Sequence, residues 1–358
     1  WFRKGKVMET QKKILHFLPR NTFSGAENVV CQIIAMFRGE INMVYCCPNG
    51  PIREALRERD IPFLPMKTFS VSEVRRLIRQ EKPDLIQAHD MLSSVVCAAA
   101  CGKTPLVCHI HNNNFNSRGL TLKTALFLPA AKKAKHIFWV SPSAMESFYF
   151  RKAVAAKSSV LRNTIDPQTL RQRAEAAPDQ RKSHVVFIGR MSEPKNPLRM
   201  LKVLEKLSIL VPDLDAKVIG SGELEQQVRA AWEQSPAKAH IQLLGFQSNP
   251  YGLLRNAGLM LMTSLWEGTP MCALEAMALG IPIVSTPVDG LCDLVEPGKT
   301  GFLESTDDAL AQSCARILRD PALRQTLSGN TRAKAEQLLD LERYKQPLRA
   351  VYESGGTL

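Results

Sequence analysis

The chain has 358 residues, more than one hydrophobic core organises well, so two domains are expected. Its apolar and charged fractions are those of a folded globular protein, no run of 18 apolar residues offers a membrane span, and the first residues lack the basic, apolar and small-residue order of a secretory signal. The net charge of +13 is uneven: residues 1–165 hold 25 Lys and Arg against 11 Asp and Glu while the rest is close to neutral, so the first half is expected to meet an anionic partner.

Nucleic acid is a poor candidate for that partner, because no zinc finger, RNP-like aromatic motif or basic heptad accompanies the charge. An anionic membrane surface fits better. The segment GLTLKTALFLPAAKKAKHIF interleaves Leu120, Leu122, Leu126, Phe127 and Leu128 with Lys123, Lys132, Lys133 and Lys135, the composition of a basic amphipathic helix at a lipid interface; the alternative is a core-packed helix with a solvated lysine face. Nine cysteines without any Cys-x-x-Cys pair argue against a disulfide framework or a cysteine zinc site and point to a reducing cytosol.

Taken in chain order from about Lys13, short apolar runs alternate with helix-like stretches: KILHFLP, AENVVCQIIAMF, INMVYCCP, IREALRERD, IPFLPM, VSEVRRLIRQ and PDLIQAHD, then TPLVCHIH, KHIFWVS and SSVLRNTID. Buried runs separated by helical patterns predict a parallel sheet with helices on both faces. The polar segment RQRAEAAPDQRKS interrupts the series, which resumes at HVVFIGR and continues through PLRMLKVLEKL, AKVIGSG, IQLLGF, NPYGLLRNAGLMLMTS, CALEAMALG and IPIVST. The reading is two doubly wound α/β domains, residues 13–164 and 165–340. Ligands of such sheets bind beyond the carboxyl ends of the strands, so the residues directly after each apolar run are the candidates.

Those residues are chemically suggestive. After KILHFLP comes a turn, Arg20 to Glu27, with Gly25 before a helical pattern. Three histidines follow strands: His89, beside Asp90, and the pair His109 and His111. After HVVFIG, Arg190 and Lys195 stand one loop apart, a planar fork and a mobile point charge suited to clamping a diphosphate. Gly245 and Phe246 follow IQLL. After LMLMTSLW, the segment Glu267-Gly268-Thr269-Pro270-Met271 turns into a helix-like stretch carrying Glu275. A helix opened by a Gly/Pro loop presents unpaired N–H groups to an anion, and carboxylates beside it accept sugar hydroxyls.

Arg190 and Lys195 followed by Glu267 and Glu275 resemble the motifs of the retaining glycosyltransferases of family 4, and the likeness extends over nearly the whole chain. It implies a GT-B fold, two Rossmann-like domains facing a cleft, with the terminal stretch 341–358 crossing back onto the first domain. It also implies that Glu275 accepts the ribose hydroxyls of a nucleotide, that Glu267 faces the donor sugar near the reacting centre, and that Gly268, Thr269, Pro270 and Met271 line the sugar with backbone, Pro270 having no N–H to give. Thr269-Pro270 stands where many members have Phe-Gly. By the same resemblance Arg190 and Lys195 stabilise the departing diphosphate, Gly245 and Phe246 lie on the donor side, and His111 meets the sugar and stabilises the transition state. His109 reads equally as a core histidine. His89 and Asp90 fall on the acceptor side, or serve structural hydrogen bonds. Gly25 belongs to a Gly-Gly-Ala-Glu-like turn in which Ser24 replaces the first glycine. A serine at positive φ would be strained, so a shifted turn or an acceptor-side change is expected there.

The expected activity is therefore a retaining sugar transfer from a nucleotide-diphosphate sugar, a UDP-sugar by preference, to a lipid-linked or glycan acceptor in bacterial surface-polysaccharide assembly. No cofactor and no metal are expected, the cations and helix N-termini supplying the charge stabilisation. The expected location is cytoplasmic, peripheral on the inner face of the membrane. A protein or small-molecule acceptor, a non-catalytic partner subunit of the same fold, and an epimerase or phosphorylase on a similar scaffold remain as other readings.

Overall fold

The structure, a computed structural model, describes residues 11–111, 119–177 and 182–356. These divide into two compact units, one holding the described residues up to Leu161 together with those from Lys345 onward, the other Arg162–Tyr344.

In the first unit the apolar runs become β1 (Lys13–Phe17), β2 (Asn42–Pro48), β3 (Phe63–Met66), β4 (Leu85–His89), β5 (Leu106–Ile110), β6 (His136–Trp139) and β7 (Ser158–Val160). Among the described residues they form one sheet ordered β3-β2-β1-β4-β5-β6-β7, with all pairs parallel. The strands are linked by α1 (Gly25–Met36), α2 (Ile52–Glu58), α3 (Val71–Glu81), α4 (Asp90–Ala100), α5 (Leu122–Lys133) and α6 (Pro142–Ser147). Strands such as LIQAH and LVCHI are buried throughout, because helices cover both faces of a parallel sheet.

The second unit opens with α7 (Pro167–Glu175) and continues with β8 (Ser183–Ile188), α8 (Pro197–Leu210), β9 (Ala216–Ile219), α9 (Glu225–Glu233), β10 (Ile241–Gly245), α10 (Tyr251–Arg255), β11 (Ala257–Met262), α11 (Met271–Ala278), β12 (Ile283–Ser285), α12 (Asp289–Leu294), β13 (Gly301–Leu303), α13 (Asp307–Arg319) and α14 (Pro321–Leu338). Its parallel sheet runs β10-β9-β8-β11-β12-β13. A final helix, α15 (Leu341–Glu353), completes the chain.

Several expectations need correction. Part of the polar segment taken as an interruption is helical: α7 runs through Glu175, capped by Asp166, whose side chain accepts from Gln168 N at 2.9 Å, and it buries Leu170 and Ala174. Two apolar positions were too few to show a period. The run NPYGLLRNAGLMLMTS is two elements, α10 and β11, parted at Asn256. Ser24 does not take positive φ; it is the extended N-cap residue of α1 (φ −150°), and its hydroxyl donates to Glu27. The amphipathic reading of α5 holds for only part of its apolar residues. Phe127 is fully buried and meets Trp139 and Phe148 edge-on, whereas Leu122 and Leu126, one turn apart, stay exposed beside Leu120 and Lys123.

The last helix closes the first unit. Leu348 and Val351 are fully buried, Tyr352 packs edge-on to Phe37 with ring centres 5.4 Å apart, and its hydroxyl donates to Gln87 Oε1 at 2.5 Å. Lys345 and Arg349 both bond to Glu40 at 2.5 Å; the Lys345 hydrogen bond, then that of Arg349, holds the Glu40 carboxyl below the usual range. Its contribution is present above the ordinary glutamate range and is lost as pH falls through the lowered value. Leu348→Ala removes a buried anchor and should cost about 2–5 kcal/mol; urea unfolding that leaves the first unit's transition in place would show that α15 is not part of that core.

Candidate active site

Parallel strands leave their carboxyl ends along one edge, and in the second unit that edge gathers the predicted residues. Gly189 follows β8, and Gly220 follows its neighbour β9; a Cβ on Gly220 would stand 1.9 Å from Gly189 O, so only glycine lets these two ends close up. Met191 N donates to Ser221 O at 3.0 Å, and Leu224 N to Met191 O at 2.8 Å, pinning the loop that carries Arg190. A 3-10 turn, Glu193–Lys195, then delivers Lys195. Asn196 after it is left-handed (φ +47°), a conformation asparagine tolerates, and Thr263 Oγ1 at the end of β11 holds it by donating to Asn196 O at 3.0 Å and Lys195 O at 3.2 Å.

The loop after β11 is tied to the same place. Leu265 N donates to Pro194 O at 2.8 Å, and Thr286 Oγ1 donates to Ser264 O at 2.6 Å. Gly290, in α12, lies so near that a Cβ there would be 1.5 Å from Gly268 O. The result is that Glu267, buried, accepts from Lys195 Nζ at 2.5 Å and from Ser264 Oγ at 2.6 Å. Burial alone would pull the Lys195 ammonium down, but the adjacent Glu267 charge and hydrogen bond outweigh it and hold its pKa above the ordinary lysine value, so Lys195 is charged at neutral pH. Cys272 lies within the field of both groups, and burial pushes its thiol up to about 12, which leaves it protonated and unfit as a nucleophile.

Glu275 lies on α11, whose every residue is buried and whose N-terminus at Pro270 has no side-chain cap. Glu275 Oε1 accepts from Tyr251 Oη at 3.0 Å, and Asn163 Nδ2 donates to Thr269 O at 2.8 Å. Thr269, Pro270 and Met271 are buried at the mouth of this helix. Further along the edge Gly245 ends β10 in left-handed geometry (φ +65°), and the Phe246 ring after it is 55 % exposed. Tyr251, Thr263 and Ser264 were missed: Tyr251 opens α10 and reaches Glu275 on α11, Thr263 reaches back to the loop after β8, and Ser264 bonds Glu267 within its own loop.

The sequence also holds an Asp-x-Asp triplet, Asp213-Leu214-Asp215. It precedes β9, at the amino edge of the sheet, where Asp215 N donates to His184 Nδ1 at 3.1 Å. That edge is the opposite one from Lys195 and Glu267.

In the first unit the carboxyl edge brings His89, Asp90 and His111 together. Asp90 is left-handed (φ +71°) at the β4–α4 junction, and its Oδ1 accepts from His111 N at 3.0 Å, so at least one oxygen of this acceptor-side candidate holds backbone. His89 Nδ1 lies 2.8 Å from His111 Nε2, and His89 Nε2 lies 3.1 Å from His16 Nδ1. Burial pushes His16 and His111 down to about 3, and pushes His89 and His109 well below the usual histidine value, so the rings are neutral at pH 7. Gly25 opens α1 in an exposed position and makes no part of this cluster of rings.

Two family models match the chain: "Glycosyltransferase Family 4" over residues 23–169 and "Glycosyl transferases group 1" over residues 168–334. The UDP-Gal:alpha-D-GlcNAc-diphosphoundecaprenol alpha-1,3-galactosyltransferase of Escherichia coli is 25% identical over 363 residues, which cover 92% of this chain and 93% of that protein. An uncharacterised glycosyltransferase of Methanocaldococcus jannaschii is 25% identical over 237 residues, 60% of this chain and 58% of that protein, so the match takes in less than two thirds of that relative. Among solved structures, Anabaena HepE in complex with UDP-glucose superposes with a TM-score of 0.83 at 22% identity, covering 96% of this chain and 99% of that one.

The ion pair gives a direct test. Lys195→Met strands a buried carboxylate and should destabilise the second unit by about 3 kcal/mol, whereas Lys195→Met with Glu267→Gln should recover a large part of that loss. A double-mutant cycle with no coupling would mean that the two groups do not pair.

Proposed function

The chain belongs to family 4 of the glycosyltransferases and has the GT-B fold, and from that premise we propose that it transfers a sugar from a UDP-sugar to a lipid-linked or glycan acceptor with retention at the anomeric carbon. The observation that carries this reading is the Lys195–Glu267 pair at 2.5 Å, set beside an uncapped helix N-terminus whose fifth residue is Glu275. Lys195 and Arg190 supply positive charge where the C1–O bond to the diphosphate breaks, and the α11 N–H groups add a dipole, so charge builds up against groups already in place. Metal-free transfer follows from this division of labour. Glu267 receives sugar hydroxyls once a ligand competes for its oxygens, and Glu275, braced by Tyr251, receives the ribose diol. Phe246 offers an exposed ring three strands away from β11, roughly 14 Å at the spacing of paired strands, a reach suited to the base of a nucleoside diphosphate.

The E. coli relative acts on a diphosphoundecaprenol-linked sugar, which favours a lipid-linked acceptor here. Leu120, Leu122 and Leu126 are 66, 77 and 53 % exposed, with Lys123 among them and Lys132 and Lys133 ending the helix, in the unit that carries the excess positive charge. No helix among the described residues is long and apolar enough to cross a membrane, so this face is proposed to lie on an anionic bilayer rather than in it. Vesicles containing anionic lipid should sediment the protein at low salt, and Leu122→Ser with Leu126→Ser should abolish sedimentation while leaving the fold intact; equal sedimentation of wild type and variant would refute the role of α5.

For the donor, a thermal-shift panel of UDP, GDP, ADP and CDP should single out UDP, since a ligand at a hundred times its Kd stabilises by about 2.7 kcal/mol. With the matching UDP-sugar, Glu275→Ala should mainly raise KM, whereas Arg190→Ala should also lower kcat, because only Arg190 meets charge that develops in the transition state. Turnover should persist in EDTA. No shift with any nucleotide, together with no transfer, would favour the non-catalytic subunit.

A further inference from the structure

The first unit holds a second constellation. His89, on β4, and His109, on β5, are register partners, and His111 follows one residue past the strand, so three imidazoles converge with one nitrogen each, all within 4.8 Å of one another. Ring centres of His109 and His111 are 4.1 Å apart, and those of His89 and His111 5.1 Å. His89 and His109 are wholly buried and His111 nearly so. Among the described residues, His109 Nε2 and His111 Nδ1 have no hydrogen-bond partner, nor does Nε2 of His16 behind them. Buried unpartnered polar atoms are costly, and of these His109 Nε2 is the one that a shared ligand among the rings would satisfy.

We infer that His89, His109 and His111 form a binding site for one borderline-soft divalent cation of the zinc class. Neutral imidazole is the form such an ion binds, and a three-histidine set leaves a fourth position for water. At Zn–N distances of about 2.0–2.1 Å, tetrahedral ligands sit roughly 3.3 Å apart, so the rings must turn out of their stacked arrangement to bind. Ligation through His89 Nδ1 and His111 Nε2, now 2.8 Å apart, opens their mutual bond. The proton count still balances without release. The His89 proton moves to Nε2 and is donated to His16 Nδ1, which puts the His16 proton on Nε2; the His111 proton resides on Nδ1. Each ring stays neutral.

For two of the three ligands, His89 and His109, outer partners for the other ring nitrogen are already present, as ligating histidines require. His16 stands behind His89. Gln87 Nε2 lies 3.3 Å from His109 Nδ1, and Gln87 Oε1 accepts from Tyr352. Rotating that amide by half a turn lets Gln87 Oε1 accept from His109 Nδ1–H and its NH2 donate to the Tyr352 oxygen, freeing the His109 Nε2 lone pair for the ion.

Binding needs neither donor nor acceptor, so the site and the transferase reading fail separately. Tag-free full-length protein stripped with EDTA should take up Zn2+ at one per chain by titration calorimetry and gain thermal stability. Co2+ in its place should give the visible bands of a four-coordinate nitrogen site, without the near-ultraviolet thiolate absorption that the exposed Cys292 would produce. His109→Asn keeps a polar group near Nδ1 but lacks the ligand, and should weaken Zn2+ binding at least a hundredfold. Gln87→Met, which leaves the three ligands in place, should weaken it about 10–100-fold, so the inference stays testable if the histidine variant does not fold. Absence of saturable uptake by the wild-type chain, thiolate absorption with Co2+, or unchanged affinity in a folded His109→Asn variant would overturn the site.

Discussion

A parallel strand covered by helices on both faces can present polar groups to a ligand only where it ends. The candidate residues of the second unit obey that constraint. Strands β8, β9, β10 and β11 are apolar runs, and the residues that carry charge or hydrogen-bonding capacity lie within a few positions of their carboxyl ends. Because all the pairs are parallel, those ends share one edge, and Lys195 meets Glu267 across 72 residues of sequence by virtue of β8 lying beside β11. The ion pair is a product of sheet order before it is a product of local sequence.

The histidines are the exception that the same constraint makes expensive. His16, Gln87 and His109 lie within strands, where helices exclude water, and His16 is the register partner of Gln87 across β1 and β4. A polar seam crosses β1, β4 and β5 where apolar residues would pack at lower cost. Such seams are held by mutual hydrogen bonds, and here the bonds run out before the donors and acceptors do.

Element type was largely legible from the sequence, since continuous apolar runs such as KILHF and LVCHI bounded by turn residues have few other solutions. Arg190, Lys195, Glu267 and Glu275 could be picked out because each follows such a run. What could not be read was pairing. Nothing near Glu275 announces Tyr251, and nothing near Lys195 announces Thr263, because both depend on which strands become neighbours. Phe127 shows the limit of composition: one face of α5 carries leucines to the surface while the next residue around the helix fills the core. The left-handed backbone at Asp90 and Asn196 was equally hidden, for it is imposed by contacts from the residues that follow β5 and β11 and not by any glycine.

The placement of α15 bears on how the protein is made. The first unit's sheet is fully synthesised by β7, yet Phe37, Glu40 and Gln87 find partners on residues 345–352, which emerge only after the whole second unit. At ribosomal speeds of about 5–20 residues per second that delay is roughly ten to forty seconds. During it the nascent first unit bares the apolar seat of Leu348 and Val351, a surface for chaperones to cover and for aggregation to exploit. Completion of the first unit therefore waits on synthesis of the second.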